Sequence, residues 1–248
     1  MKKIFFGLLL IFFVINGVAF AQTAAPIGTT IDFGSALSPQ QLSNSMQLLL
    51  SISLITLVPF FLISTTAFLR IVIVLSMIRT AIGTQQTPPN SVIIGLALFM
   101  TLFVMTPVFQ DINSSAIVPY NQKKISQTKA FELGMIPLRK FMFRQTREAD
   151  LRLFIQFSKI KPPTKFEEVP TYVLIPAYMI SELKTAFQIG FLIFIPFIVI
   201  DLVVANILLS LGMFMLSPVM VSLPFKILLF VLADGWNLIC RGLLTSFR

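Results

Sequence analysis

The sequence contains no histidine and only one cysteine, Cys240, among its 248 residues. Without imidazole there is no Ser-His-Asp or Cys-His triad, no HExxH zinc site and no histidine proton relay. One cysteine excludes an internal disulfide and a cysteine-based metal site. Charge is scarce as well: 12% of residues are Asp, Glu, Lys or Arg, about half the usual share. The balance of 19 Lys+Arg against 10 Asp+Glu leaves +9. In so apolar a chain this excess reflects loop topology rather than affinity for nucleic acid, and no nucleic-acid partner is expected. What is abundant is hydrophobic: 56% of residues, with a mean hydropathy of +0.90. A soluble fold of this length could not hide so much apolar surface, so lipid or partner subunits must cover it. The expected class is an all-α integral membrane protein.

The first 21 residues read as a cleaved signal peptide. Met1-Lys2-Lys3 is a basic start, Ile4 to Val18 an apolar core, and Ala19-Phe20-Ala21 an A-x-A cleavage pattern. The mature chain then begins near Gln22 on the far side of the membrane. Residues 22–45, rich in Thr, Ser, Gln, Gly and Pro, read as a flexible periplasmic lead.

Four hydrophobic stretches follow, Met46–Ile78, Val92–Val108, Ala186–Leu211 and Val219–Cys240. A straight crossing needs about 20 residues, so the first is too long for one and is expected to kink, with Pro59 inside it, or to be partly covered by protein. Short links at Gly83–Asn90 and Gly212–Pro218 imply antiparallel neighbours. The expectation is two helical hairpins, 46–110 and 186–248, flanking a helical domain at 111–185. That domain holds 12 of the 19 basic and 7 of the 10 acidic residues. Within it Leu138, Met142, Ala149, Leu153 and Phe157 share one helical face. Arg144, Glu148 and Arg152 form an i,i+4 charge ladder on another. Ile160-Lys161-Pro162-Pro163 ends this amphipathic helix. Its basic residues argue for the cytoplasm, but the positive-inside rule weakens for loops beyond about 60 residues. The signal peptide then decides, and the central domain is expected to be periplasmic.

Arg70, Asp201, Lys226 and Asp234 are charges inside apolar stretches, each costing about 2.5–3.5 kcal/mol at the centre of a lone inserted helix. They read either as an ion or substrate pathway or as pairs between helices or subunits, and pairing is the favoured reading. With Phe214 as the tip, Asp201 lies 13 residues before it and Lys226 12 residues after it. Antiparallel helices bring both to one depth, about 20 Å from the tip. The tip itself, Gly212-Met213-Phe214-Met215-Leu216-Ser217-Pro218, carries soft apolar side chains where a turn is usually polar. It suits either a yielding closure or simple burial.

Several longer runs carry a resemblance. Phe68-Leu69-Arg70-Ile71-Val72-Ile73-Val74-Leu75-Ser76, Gly83-Thr84-Gln85-Gln86-Thr87-Pro88-Pro89-Asn90 and Pro137-Leu138-Arg139-Lys140-Phe141-Met142 are three of them. Arg144-Gln145-Thr146-Arg147-Glu148, Ser181-Glu182-Leu183-Lys184-Thr185-Ala186-Phe187 and Ser222-Leu223-Pro224-Phe225-Lys226, with Asp234-Gly235-Trp236 beyond, complete the set. In this order they resemble the FliP family of flagellar type III export-gate proteins, over Leu54 to Phe247. The resemblance implies an inner-membrane subunit in the flagellar basal body. It would assemble in several copies with FliQ- and FliR-type subunits into the channel for unfolded flagellar proteins. It also implies that Met213 and Met215, with Phe214 where a methionine is usual, form a pore gasket. Because such complexes are built partly above the membrane plane, the apolar stretches need not all span lipid. Arg70, Glu182, Asp201, Lys226 and Asp234 then become helix or subunit contacts.

The equivalent subunit of a virulence injectisome is the alternative, but its relatives generally lack the leader and the 22–45 extension. An aspartyl protease built on Asp201 and Asp234 lacks a Gly-x-Gly-Asp motif, and Lys226 is near as an ion-pair partner. A small-solute transporter would show repeated halves, which 46–110 and 186–248 do not. A scaffold without its own pore stays open. No catalytic, cofactor-binding or metal-binding residue is expected.

Overall fold

The computed structural model describes residues 52, 53, 56, 57, 59–84, 86–158 and 168–247. The expected signal peptide and lead, and the helix stop at Ile160–Pro163, lie outside them. The chain divides into two compact units between Thr56 and Leu57. In the first, the Thr56 hydroxyl donates to the Ser53 carbonyl at 2.8 Å. The second carries everything that follows. Its regular elements are helical, with no strand among the described residues.

A helix at Pro59–Thr65 (α1) meets Phe68–Ile82 (α2) at 84°. The bend falls at Thr66–Ala67, and Pro59 itself is helical. At the bend Thr65 and Thr66 donate their hydroxyls to the Phe61 and Leu62 carbonyls at 2.6 and 2.5 Å. The buried Tyr178 hydroxyl then donates to the Thr66 carbonyl at 2.7 Å. Along α2, Ile71, Val74, Leu75, Ile78 and Ile82 are all buried, the i, i+3, i+4, i+7 stripe of a core-facing helix. Gly83 ends it at φ 90°, its N–H donating to the Thr80 carbonyl at 3.1 Å. That left-handed position favours glycine.

Asn90–Ile112 (α3), a π turn at Asn113–Ile117 and Val118–Asn121 (α4) form one apolar rod of 32 residues. Pro119 follows the π turn. Its ring would clash with the carbonyl four residues back in a regular helix, and the wider turn relieves that clash. Ile93, Ala97, Met100, Thr101 and Met105 are buried on one side, while Val92, Phe99 and Phe103 are exposed on the others.

The central region contains two helices where one amphipathic helix is expected. Gln127–Gln145 (α5) is capped by Ser126, whose Oγ accepts from the Lys129 N–H at 3.3 Å. It stops at Thr146, and Glu148–Phe157 (α6) restarts. The break turns α6 relative to the expected face. Met142 is buried, but Ala149, Leu153 and Phe157 are exposed and the buried residues of α6 are Asp150 and Leu151. Of the expected charge ladder, Arg152 pairs with Glu148 at 2.5 Å on the open surface, worth little there. Arg144 lies on α5.

Thr171–Ser210 (α7) is a single helix of 40 residues. It begins inside the polar stretch, not at Ala186, because Ser181, Glu182 and Lys184 lower the local hydropathy without disturbing the helix. At 1.5 Å per residue it is about 60 Å long, twice the hydrocarbon thickness of a bilayer. Its buried residues crowd the first half, Val173, Leu174, Ala177, Tyr178, Ser181, Glu182, Ala186 and Gly190. Only Phe197 and Leu208 follow in the second half. Gly190 lets α2 approach, since a Cβ there would lie 2.2 Å from Met77 Sδ. Pro218–Leu232 (α8) packs back on α7 and bends by 63° into Gly235–Thr245 (α9). The core joins the α2 stripe to Val173, Leu174 and Tyr178 of α7, Met142 of α5 and Leu243 of α9.

By length and composition, α3 with α4 and α7 each reach the size of a membrane crossing, and the bent pairs α1/α2 and α8/α9 do so if each is one span.

Candidate functional site

Three charged clusters and one apolar tip stand out, and all three clusters are held by α7. The first centres on Arg70, 2% exposed in the α2 stripe. Its Nε donates to Glu182 Oε2 at 2.8 Å, and one terminal nitrogen pairs with Glu182 Oε1. That nitrogen also donates to Gln145 Oε1 at 2.9 Å. The other donates to the carbonyl and the hydroxyl of Ser246, each at 3.0 Å. All five guanidinium donors are thereby used. The Phe247 ring lies 4.0 Å from Arg70 Cζ, a cation–π contact, and stacks on Phe141. One side chain therefore ties α2, the end of α5, α7 and the C-terminal residues together.

The second cluster joins α7 to α8. Lys226 Nζ donates to Asp201 Oδ2 at 2.6 Å, and the Ser222 hydroxyl donates to Asp201 Oδ1 at 2.5 Å. Ser222 and Lys226 lie one turn apart on α8, so both reach the same carboxylate. Lys226 is buried, while the Asp201 side chain is 30% exposed.

Sequence reasoning missed the third cluster. Asp150, in the first turn of α6, is buried and accepts from the Ser181 hydroxyl at 2.8 Å and from Lys184. The Arg147 N–H donates to the same Ser181 oxygen at 3.0 Å, and its guanidinium reaches Thr185 at 3.2 Å and Gln188. Burial alone would push the Asp150 carboxyl up. Hydrogen bonds from Lys184 and Ser181 and the charges of Lys184 and Arg147 outweigh it, holding the group below the usual carboxylate value. The signal for this contact was present, an acid and a lysine 34 residues apart, but no periodicity links them.

Asp234 departs from the other charges. It is exposed at the bend between α8 and α9, left-handed at φ 48°, ψ 50°, and its side chain makes no cap hydrogen bond. The bend that brings Gly235 against the Phe230 ring turns Asp234 outward. Burial within the chain therefore does not extend to it.

The tip between α7 and α8 leaves Met213, Phe214, Met215 and Leu216 on the surface, Phe214 at 76% and Met215 at 100% exposure. Among the described residues, no group of three or more acidic, histidine or cysteine side chains is arranged to hold a metal.

Long apolar helices with apolar side chains outward, in which Arg70–Glu182 and Lys226–Asp201 meet as pairs, define a helical membrane protein. The FliP family profile matches residues 37–243. The chain belongs to the FliP family. It is 51% identical over 217 residues to the flagellar biosynthetic protein FliP of Bacillus subtilis (strain 168), covering 88% of this chain and 98% of that one. To the protein of that name from Borreliella burgdorferi it is 46% identical, covering 96% of each. To that of Aquifex aeolicus (strain VF5) it is 48% identical, covering 84% of this chain and 87% of the other.

Proposed function

We propose that this subunit of the flagellar export apparatus forms, with further copies of itself and with FliQ- and FliR-type subunits, the channel that passes unfolded flagellar proteins across the bacterial inner membrane. In this reading residues 1–21 are removed, 22–45 lead into the periplasm, and the region 111–185 is a periplasmic domain between helical hairpins at 46–110 and 186–248. Met213, Phe214 and Met215 are the gasket. Arg70, Glu182, Asp201 and Lys226 hold the helices in register, and Asp234 faces outward from them.

The observation that carries the reading is the apolar tip. A solvated turn is normally built from Gly, Pro, Asn, Asp and Ser. Here three large apolar side chains are exposed, Phe214 at 76% and Met215 at 100%. Copies arranged around an axis would bring them together, and a ring of thioethers and phenyl groups excludes water and ions while remaining deformable.

The test is conductance. Met213→Ala with Met215→Ala shortens the ring and leaves α7 and α8 intact. The reconstituted complex is expected to assemble on a native gel and to leak small ions at rest. An assembled double mutant as tight as wild type would place the seal elsewhere and leave this tip as packing surface.

A further inference from the structure

The α7/α8 hairpin outruns the helix it packs on. Arg70 meets Glu182 at an offset of 112 residues, and Met77 meets Gly190 one residue further on, so α2 and α7 run parallel. The same offset puts Gly83, where α2 ends, level with residues 195 and 196 of α7. α8 passes this level too, since Leu223 Cδ1 lies 3.4 Å from where a Cβ of Gly83 would stand. From there to Ser210, α7 continues for about 20 Å beyond the end of α2. Only Phe197 and Leu208 of that part are buried. A proline sits inside each helix at this level, Pro196 in α7 and Pro224 in α8, and both are exposed. Each ring withholds a donor from its helical ladder, leaving the Leu192 and Met220 carbonyls without their usual partner, and sharp helix bends gather at such sites. Pro176, also inside α7, lies instead in the covered half, between Leu174 and Ala177, both fully buried.

We infer that Pro196 and Pro224 are a paired hinge, on which the far end of the hairpin swings and carries Met213, Phe214 and Met215 aside when a chain passes. The inference rests on the channel reading above and adds how the gasket yields. Two bends at one level matter, because a bend in α7 alone would shear Asp201 from Ser222. Bending in both helices lets the two arms turn together while the turns on either side stay hydrogen-bonded. The polar contacts divide accordingly. Ser222 and Asp201 both lie beyond the hinge, and their hydrogen bond travels with the arm. Lys226 lies on the near side of Pro224, so its ion pair with Asp201 spans the hinge and holds the closed position. The Phe197 and Phe230 rings, 6.5 Å apart between centroids, meet across the same level.

The test compares a stiff with a flexible replacement in the full chain, expressed in cells that lack the wild type. Pro196→Ala with Pro224→Ala restores both ladders, so the complex is expected to assemble on a native gel and to melt no earlier than wild type, proline being the poorest residue of a helix interior. It should stay tight at rest, yet secrete roughly fivefold less flagellar subunit or worse, because alanine removes the bend sites. Pro196→Gly with Pro224→Gly keeps the helices pliable and is expected to secrete close to the wild-type amount. Pro176→Ala, in the covered half, should leave secretion unchanged. Wild-type secretion by the assembled alanine pair would overturn the inference. An equal loss in the alanine and glycine pairs would do so too, since it would mean that the shape set by proline matters and not the bending. Should a pair block assembly, each position is read singly by the same comparison of alanine with glycine. The channel reading fails by a separate sign, an assembled Met213→Ala, Met215→Ala complex that does not conduct, whatever the proline variants secrete.

Discussion

Arg70 is the residue whose loss should cost most. Its guanidinium is the shared partner of Glu182, Gln145 and Ser246, and it lies under the Phe247 ring. Arg70→Ala removes the charge but leaves Glu182, fully buried, as an unpaired carboxylate. Breaking a buried pair in this way typically costs about 3–5 kcal/mol. The Ser246 and Gln145 oxygens add the cost of acceptors left without donors, about 1–3 kcal/mol each where they stay dry. Arg70→Lys keeps the charge, but an ammonium has three donors and no planar fork. It can hold Glu182 or the C-terminal residues, not both. The expected order of stability is wild type, then Arg70→Lys, then Arg70→Ala.

For a domain near 200 residues, each kcal/mol moves the melting midpoint by about 2–4 °C. Arg70→Ala is therefore expected to lower the midpoint of the detergent-solubilised protein by roughly 10 °C. Glu182→Gln keeps the shape and removes the second charge, so combining it with Arg70→Ala should recover part of the loss. The result that would refute the reasoning is a midpoint for Arg70→Ala within about 2 °C of wild type. Additivity in the Arg70/Glu182 cycle would do the same, because two groups bonded through two atoms cannot act independently.

The Asp201–Lys226 pair predicts an asymmetry. Asp201→Ala strands a buried ammonium and should cost about 3–5 kcal/mol, whereas Lys226→Ala leaves a partly exposed carboxylate that keeps the Ser222 hydroxyl and should cost less; equal losses by thermal melting would contradict this. For Asp150, the folded pKa lies below its ordinary value of 3.8, so its stabilisation is complete above that value and is lost as the pH falls through and below it. Asp150→Asn should lower stability at neutral pH by about 1.5–3 kcal/mol and flatten the acid limb of melting midpoint against pH; an unchanged acid limb would assign it to other carboxylates. Gly190→Ala drives a Cβ into the Met77 thioether and is expected to cost about 1 kcal/mol, recovered in part by Met77→Ala; a neutral single substitution would mean that the Met77 side chain swings clear.

The sequence was most legible where structure is local. Apolar runs identified the helices, and the count of residues around the tip brought Asp201 and Lys226 together, because a helical rise is a constant. Glu182 and Arg70 are 112 residues apart, and no period connects them. Their meeting depends on how α2 and α7 cross, which Gly190 and Met77 set by side-chain volume. The same limit explains the misread central helix. Its apolar spacing continues through Thr146 and Arg147, but the chain breaks there, and Arg147 N–H turns to Ser181 on another helix. Hydropathy averages also split α7 at Ala186, since they register the charges of Glu182 and Lys184 and not the partners that neutralise them.

The division of labour along α7 follows from the same accounting. Each charged cluster borrows one or more side chains from it: Glu182 for Arg70, Ser181 and Lys184 for Asp150, Asp201 for Lys226. Buried ion pairs add little net stability over apolar packing, but a misregistered pair leaves two charges unsatisfied. Three clusters on one helix therefore fix rotation and translation of α2, α6 and α8 against a common spine. Beyond Gly190 few side chains of that spine are covered by the chain itself, and Leu202, Val203, Ile207 and Leu209 all face outward. A helix of about 60 Å cannot lie wholly within about 30 Å of hydrocarbon, so lipid alone cannot account for both halves. The first half is covered by α2, α5 and α6; the second is met by α8 on one side and otherwise needs other chains or lipid, and the exposed tip lies at its end. Register set in the first half is carried along the helix to that tip. Substitutions at Arg70 or Asp150 should then misplace Met213 and Met215, far from the altered residue, before they unfold the chain.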